Sequence, residues 1–94
     1  ERYSESADAY IAAMDSRGNY TVRKRYFLAA LNALQAGSLH GKALRLAQAR
    51  ERVFYNDKAV LYRLMTLAQA GGNMPLAEHY AVLLLNLPSV EGRR

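Results

Sequence analysis

A repeated tripeptide is the feature of this sequence that most constrains its fold. Gln35-Ala36-Gly37 returns as Gln69-Ala70-Gly71, and three further pairs keep the same shift: Lys24/Lys58, Ala43/Ala77 and Ala47/Ala81. We call this shift, from position 35 to position 69, the repeat period. A fixed period of roughly 20–50 residues is typical of a solenoid, in which each unit packs against its neighbours. The sequence therefore predicts an array of structural repeats.

Apolar residues recur at helical spacing in both copies of the period, and no segment alternates with period two over a useful length. The two apolar stripes are Phe27, Ala30, Leu31 and Leu34 in the first copy and Leu61, Leu64, Met65 and Ala68 in the second. We therefore predict an all-α fold of about five helices. The short connections between them favour antiparallel helix hairpins.

Residues that cap or stop helices divide the chain into these five segments. The predicted N-caps are Thr21, Ser38, Asn56 or Asp57, and Asn73. The predicted stops are Gly18-Asn19, Gly37, Gly71-Gly72 and Pro88. We expect the first helix over about residues 4–15, with Ala9, Ile11, Ala12 and Ala13 in its apolar part, and the third helix over about residues 39–53.

Small residues occupy matched positions early in the third and fifth predicted helices. Ala43 and Ala77 are one period apart, and Ala9 stands one period before Ala43. A small side chain at a helix crossing lets the two axes approach closely, whereas a bulky one would push the helices apart. We expect these alanines at the crossings of the helix pairs.

The segment Leu67–Ala77 resembles the turn of the tetratricopeptide repeat, in which a Gly precedes a small residue by five positions, as Gly72 precedes Ala77. A period of about 34 residues with two helices per unit is also that of this family. The resemblance covers nearly the whole chain: an orphan second helix over residues 4–17, then helix pairs over 21–54 and 56–87. It implies a right-handed superhelical segment of a longer array, which binds another protein and performs no catalysis.

In such an array the first helix of each pair lines the concave face. On that face we expect a partner-binding site formed by Arg25, Asn32, Gln35, Tyr62, Arg63 and Thr66. Amide, hydroxyl and phenol groups bind a peptide backbone, and Arg adds a charge-assisted anchor. The net charge of +5 favours an acidic protein surface or peptide. An ordinary solvated helix face, or a site at Arg45, Arg50 and Arg52, remains an alternative.

The last predicted helix is apolar around most of its circumference, and a helix of that kind is normally covered. Self-association of the chain as a homodimer, or packing of an adjacent repeat of the parent chain, would cover it. We expect this contact to involve Leu83, Leu84, Leu85 and Leu87.

Residues for chemistry are sparse. The chain has no Cys, two His and no convincing carboxylate pair or phosphate-binding Gly-rich loop. We expect no enzyme activity, no metal or cofactor, and no membrane contact within this segment. Two alternatives stay open: a nucleic-acid-binding repeat of pentatricopeptide type, and a purely structural spacer.

The Ala-, Leu- and Arg-rich style is similar to that of periplasmic scaffolds in bacterial exopolysaccharide-export outer-membrane proteins, which recruit polymer-modifying enzymes. This similarity implies a periplasmic setting, with the cytoplasm as the alternative.

Overall fold

The fold is all-helical, as predicted. The computed structural model describes residues 2–16 and 18–87. Within them it has no strand and five α-helices: α1 (Arg2–Ser16), α2 (Tyr20–Ala36), α3 (His40–Arg50), α4 (Lys58–Ala70) and α5 (Met74–Leu85). The third helix is shorter than expected, because a 3₁₀ turn at Glu51–Phe54 replaces its predicted last turn. Pro88, the predicted stop of the fifth helix, lies outside the described residues.

The chain divides into two compact units, Glu1–Ala43 and Leu44–Arg94, with the boundary inside α3. In the first unit α1 packs against α2, and in the second α4 packs against α5. Three residues join the helices of each pair, so these helices run antiparallel.

The core of each unit is apolar. Phe27, Leu31 and Leu34 are fully buried in the first unit, and Leu61, Leu64 and Ala68 are fully buried in the second. These observations confirm both predicted stripes, except that Met65 is only half-buried. The predicted alanines Ala43 and Ala77 are also buried.

The buried face of α1 differs from the predicted one. Of the predicted residues, Ile11 is buried, but Ala9 and Ala12 are exposed and Ala13 is half-buried; Ala7 and Met14 are buried in their place. Matching Ala9 to Ala43 by the repeat period was therefore wrong for this helix. Apolar spacing within α1 determines its buried face, and the repeat period does not extend to it.

Asparagine and aspartate cap three of the helices. Asp57 Oδ1 accepts from Val60 N at 3.1 Å, and Asn73 Oδ1 accepts from Leu76 N at 3.2 Å, as predicted. The cap of α2 is Asn19, whose Oδ1 accepts from Val22 N at 2.9 Å. Thr21 was the wrong choice because α2 begins at Tyr20, which places Thr21 inside the helix.

The same turn ends α2 and α4. In the α2–α3 turn (residues 34–39), Leu39 N donates to Leu34 O at 2.8 Å and Ser38 N to Gln35 O at 3.0 Å. In the α4–α5 turn (residues 68–73), the donor and acceptor positions are the same: Asn73 N to Ala68 O at 2.9 Å and Gly72 N to Gln69 O at 3.0 Å. This pair of bonds defines a Schellman motif.

The Schellman motif requires one left-handed residue, which is Ser38 (φ 58°) in the α2–α3 turn and Gly72 (φ 76°) in the α4–α5 turn. Ser38 is therefore not the N-cap predicted for α3. That helix begins at His40, and the residue before it is Leu39, which has no side-chain acceptor.

Candidate partner-binding surfaces

Three of the predicted site residues lie on α2, in the first unit. Arg25 and Asn32 are exposed on the side of the helix away from Phe27 and Leu31, whereas Gln35 is half-buried, one turn after Leu31. Asn32 and Gln35 each already interact with another group of the protein. Arg25 is thus the most accessible group of this set, which we call the α2 strip.

The other three predicted residues lie on α4, in the second unit, and form the α4 strip. Tyr62 is 58% exposed, whereas Arg63 and Thr66 are half-buried. The Thr66 hydroxyl donates to Arg63 O at 2.9 Å, so its proton is used within the helix. Arg63 also interacts within the protein. Tyr62 is therefore the side chain of this strip best able to contact a partner.

Exposure alone does not single out Tyr62. Tyr55, just after the 3₁₀ turn, is 66% exposed and was not among the predicted site residues. Its position in a connection, outside any helical stripe, gave no signal in the sequence. Tyr55 is a suitable control for Tyr62, because it is a second exposed Tyr in the same unit.

The outer side of α5 exposes apolar side chains. Leu85 is 83% exposed, while Leu83, Leu84 and Leu87 are half-buried. Met74 and Val82 are 56% and 48% exposed, and the sequence prediction missed both. The buried side of the helix is formed by Leu76, Ala77 and Tyr80.

Each unit contains ion pairs and hydrogen bonds between side chains. In the first unit, Lys42 Nζ binds Asp8 Oδ1 at 3.0 Å and also donates to the Ser4 hydroxyl. In the second unit, Glu51 binds His79 Nε2 at 3.2 Å and accepts from the Tyr80 hydroxyl at 3.0 Å.

Burial, together with the charge and hydrogen bond of Glu51, raises the pKa of the Tyr80 phenol well above its usual value. Tyr80 consequently remains a neutral donor at ordinary pH. His79 is exposed and is paired with Glu51.

Within the described part of the chain, no group of three His, Cys, Asp or Glu residues is arranged to hold a metal ion. Among the same residues, no helix has the length and apolar character needed to cross a membrane. No protein-family model, curated protein or solved structure matches the chain.

Proposed function

We propose that this chain is a non-catalytic segment of a tetratricopeptide-like helical array that binds another protein, with the α4 strip of the second unit and the α2 strip of the first unit as two separate contact surfaces. The observation that supports this proposal is the Schellman turn, which occurs twice, one repeat period apart, and ends the two helices that carry the strips. Repeats of this kind present side chains at equivalent positions, a common basis for protein recognition.

Charge supports an acidic peptide as the partner. Between Asp15 and Glu51 the chain has seven Lys or Arg residues and no Asp or Glu, and α4 contains no acid. A peptide with carboxylates would meet Arg25 or Arg63 in charge-assisted hydrogen bonds, while the exposed Tyr62 ring supplies contact area.

The test uses a library of short fluorescent acidic peptides as the probe, first with the unaltered chain and then with variants. We expect Tyr62→Ala to weaken the best peptide by about 2 kcal/mol or more, since a few anchors carry most of the binding energy. Tyr55→Ala is the matched control and should bind as the unaltered chain does. Thermal melting should be unchanged in both, because neither side chain belongs to the core.

Asn32→Ala extends the test to the α2 strip, with the same pairing of affinity and melting temperature. If neither variant changes affinity while a peptide still binds, the site lies elsewhere, and Arg45, Arg50 and Arg52 become the candidates. If no acidic peptide binds, the proposed function is wrong and the chain is better described as a spacer.

A salt titration separates protein binding from nucleic-acid binding. A single-stranded RNA probe that neutralises several cations would lose affinity steeply as salt rises, because counterion release drives its binding. We expect weak RNA binding at low salt and none near physiological salt, with a much shallower salt dependence for the peptide.

A further inference from the structure

A second surface, on α5, combines exposed apolar side chains with one carboxylate. Positions 74, 78, 81 and 85 are spaced by four, three and four residues, so they form one line along the helix. The α5 outer stripe consists of Met74, Glu78, Ala81 and Leu85, with Val82 beside them. It lies on the side of α5 opposite Leu76 and Tyr80, which already fill the core.

The repeat period allows the burial of the α5 outer stripe to be compared with that of equivalent positions in α3. The positions one repeat period before Glu78 and Ala81 are Leu44 and Ala47 of α3, and both are buried. These two positions of α3 are thus covered within the protein, whereas His40 and Glu51, the equivalents of Met74 and Leu85, are half-buried. By analogy, we expect the α5 outer stripe to be covered by an occupant of its own.

Two differences between α5 and α3 indicate that the occupant of the α5 outer stripe differs from the element that covers Leu44 and Ala47 of α3. Glu78 stands where α3 has the buried Leu44, so a repeat-like neighbour would meet a carboxylate in place of an apolar side chain. Val82 stands where α3 has Gln48, which stays exposed. The apolar area of α5 therefore extends beyond the part that is covered in α3.

The Glu78 carboxylate indicates which charge the occupant should carry. Burying a carboxylate without a partner is costly, and α5 itself contains no Lys or Arg. A symmetric pair of α5 helices would bring two Glu78 carboxylates to the contact, and α5 would supply no Lys or Arg to pair with them. A membrane surface fits poorly too, because interfacial helices carry Lys or Arg on their polar face.

We propose that the α5 outer stripe docks an amphipathic helix of a partner protein that places a Lys or Arg against Glu78. The apolar residues of that helix cover Leu85 and Val82, and its cation pairs with the carboxylate. This surface is separate from the α2 and α4 strips, and the proposal does not depend on what those strips bind.

The test uses two synthetic amphipathic helices of about three heptads, with Leu at the a and d positions and either Lys or Glu at one central a position. Both are kept dilute enough to remain monomeric, and binding to the full chain is followed by fluorescence anisotropy. We expect the Lys peptide to bind roughly tenfold tighter than the Glu peptide. Glu78→Lys should reverse that preference, a result that mere loss of folding cannot produce.

A matched pair of variants locates the surface. Val82→Glu should abolish binding of the Lys peptide, whereas Gln48→Glu, at the repeat-equivalent exposed position of α3, should leave it unchanged. Circular dichroism should show both variants as helical as the unaltered chain.

Any of four results would overturn the proposal. One is equal binding of the two peptides with no reversal by Glu78→Lys, and another is binding of neither peptide. The third is a dimer in light scattering that Val82→Glu dissolves, which would assign the stripe to a second copy of the chain. The fourth is binding of anionic phosphatidylglycerol vesicles that Val82→Glu abolishes.

Discussion

The α2–α3 turn and the α4–α5 turn have the same backbone and different side chains. Each contains the two bonds of a Schellman motif and one left-handed residue at the same position of the repeat period. In the α4–α5 turn that residue is Gly72, and Asn73 then caps α5. In the α2–α3 turn it is Ser38, followed by Leu39.

The difference shows that the same turn geometry forms with side chains that favour it and with side chains that do not. Glycine adopts a left-handed conformation without steric cost, whereas for an L-residue such as Ser38 it costs about 1–2 kcal/mol. Asn73 supplies a hydrogen bond that Leu39 cannot. We therefore infer that the α4–α5 turn is intrinsically the more stable of the two and that packing maintains the α2–α3 turn.

The substitutions expected to change the unfolding free energy most test whether the buried alanines after the two turns are equivalent. Ala43→Leu and Ala77→Leu should each cost about 1–3 kcal/mol of unfolding free energy, because both sites are buried and overpacking forces neighbours apart. Ala49→Leu, at an exposed position of α3, is the control and should cost little. Urea denaturation measures all three, and a cost at only one of the two buried alanines would break the equivalence.

A close contact distinguishes the α2–α3 turn. A Cβ at Gly37 would lie 2.9 Å from Tyr3 Cδ2 and 3.0 Å from Tyr3 Cβ, so an added methyl group would force the Tyr3 side chain to shift. We expect Gly37→Ala to cost about 1 kcal/mol or more. Tyr3→Ala should remove most of that cost, and a double-mutant cycle by urea denaturation measures the coupling. Additive effects of the two substitutions would mean that Tyr3 does not pack on this turn.

Much of this fold followed from the sequence. The stripes of α2 and α4 were predicted because apolar spacing and burial are directly linked. Asn73 was recognised as a cap, and Asp57 was one of two alternatives. In α1 the burial of Ile11 was predicted, but the alanine match one repeat period away gave no sign that Ala7 and Met14 are its buried neighbours. The left-handed Ser38 could not be foreseen, because serine more often caps a helix than adopts that conformation.

The candidate surfaces were less predictable than the fold. A helical stripe shows which residues face away from the core, and on that basis Tyr62 and Arg25 were chosen correctly as exposed groups. It does not show which polar groups are already used, as the Thr66 hydroxyl is. Nor did the composition of α5 alone reveal that Val82 and Met74 would be exposed while Leu76 is buried.

A further prediction compares a polar contact within the first unit with one within the second. Tyr80→Phe should cost about 1.5 kcal/mol, because Tyr80 is buried and its hydroxyl donates to the charged Glu51. Lys42→Ala should cost less than about 1 kcal/mol, since Asp8 is exposed and its ion pair is screened by solvent. Thermal and urea unfolding measure both, and a larger loss for Lys42→Ala would contradict this ranking.

The pH dependence of the unfolding free energy provides a second way to compare Tyr80→Phe with Lys42→Ala. The pKa of Tyr80 is raised in the folded protein, so the unfolded chain releases this proton first, near its ordinary value of 10. The stability that neutral Tyr80 contributes is therefore present below pH 10 and is lost as the pH rises above it. We expect Tyr80→Phe to flatten the alkaline loss of stability and Lys42→Ala to leave that contribution in place. An unchanged alkaline profile for Tyr80→Phe would contradict the assignment.

The central claim, that the two turns are copies of one structural unit, is tested most directly by exchanging their left-handed residues. We predict that Ser38→Gly raises and Gly72→Ser lowers the unfolding free energy by about 0.5–1 kcal/mol each, because glycine relieves backbone strain in one turn and its loss introduces strain in the other. No side-chain contact complicates the second change, since a Cβ at Gly72 would meet no atom within 4 Å. Urea denaturation that gives opposite signs would support the repeat, whereas equal signs, or no change in either variant, would contradict it.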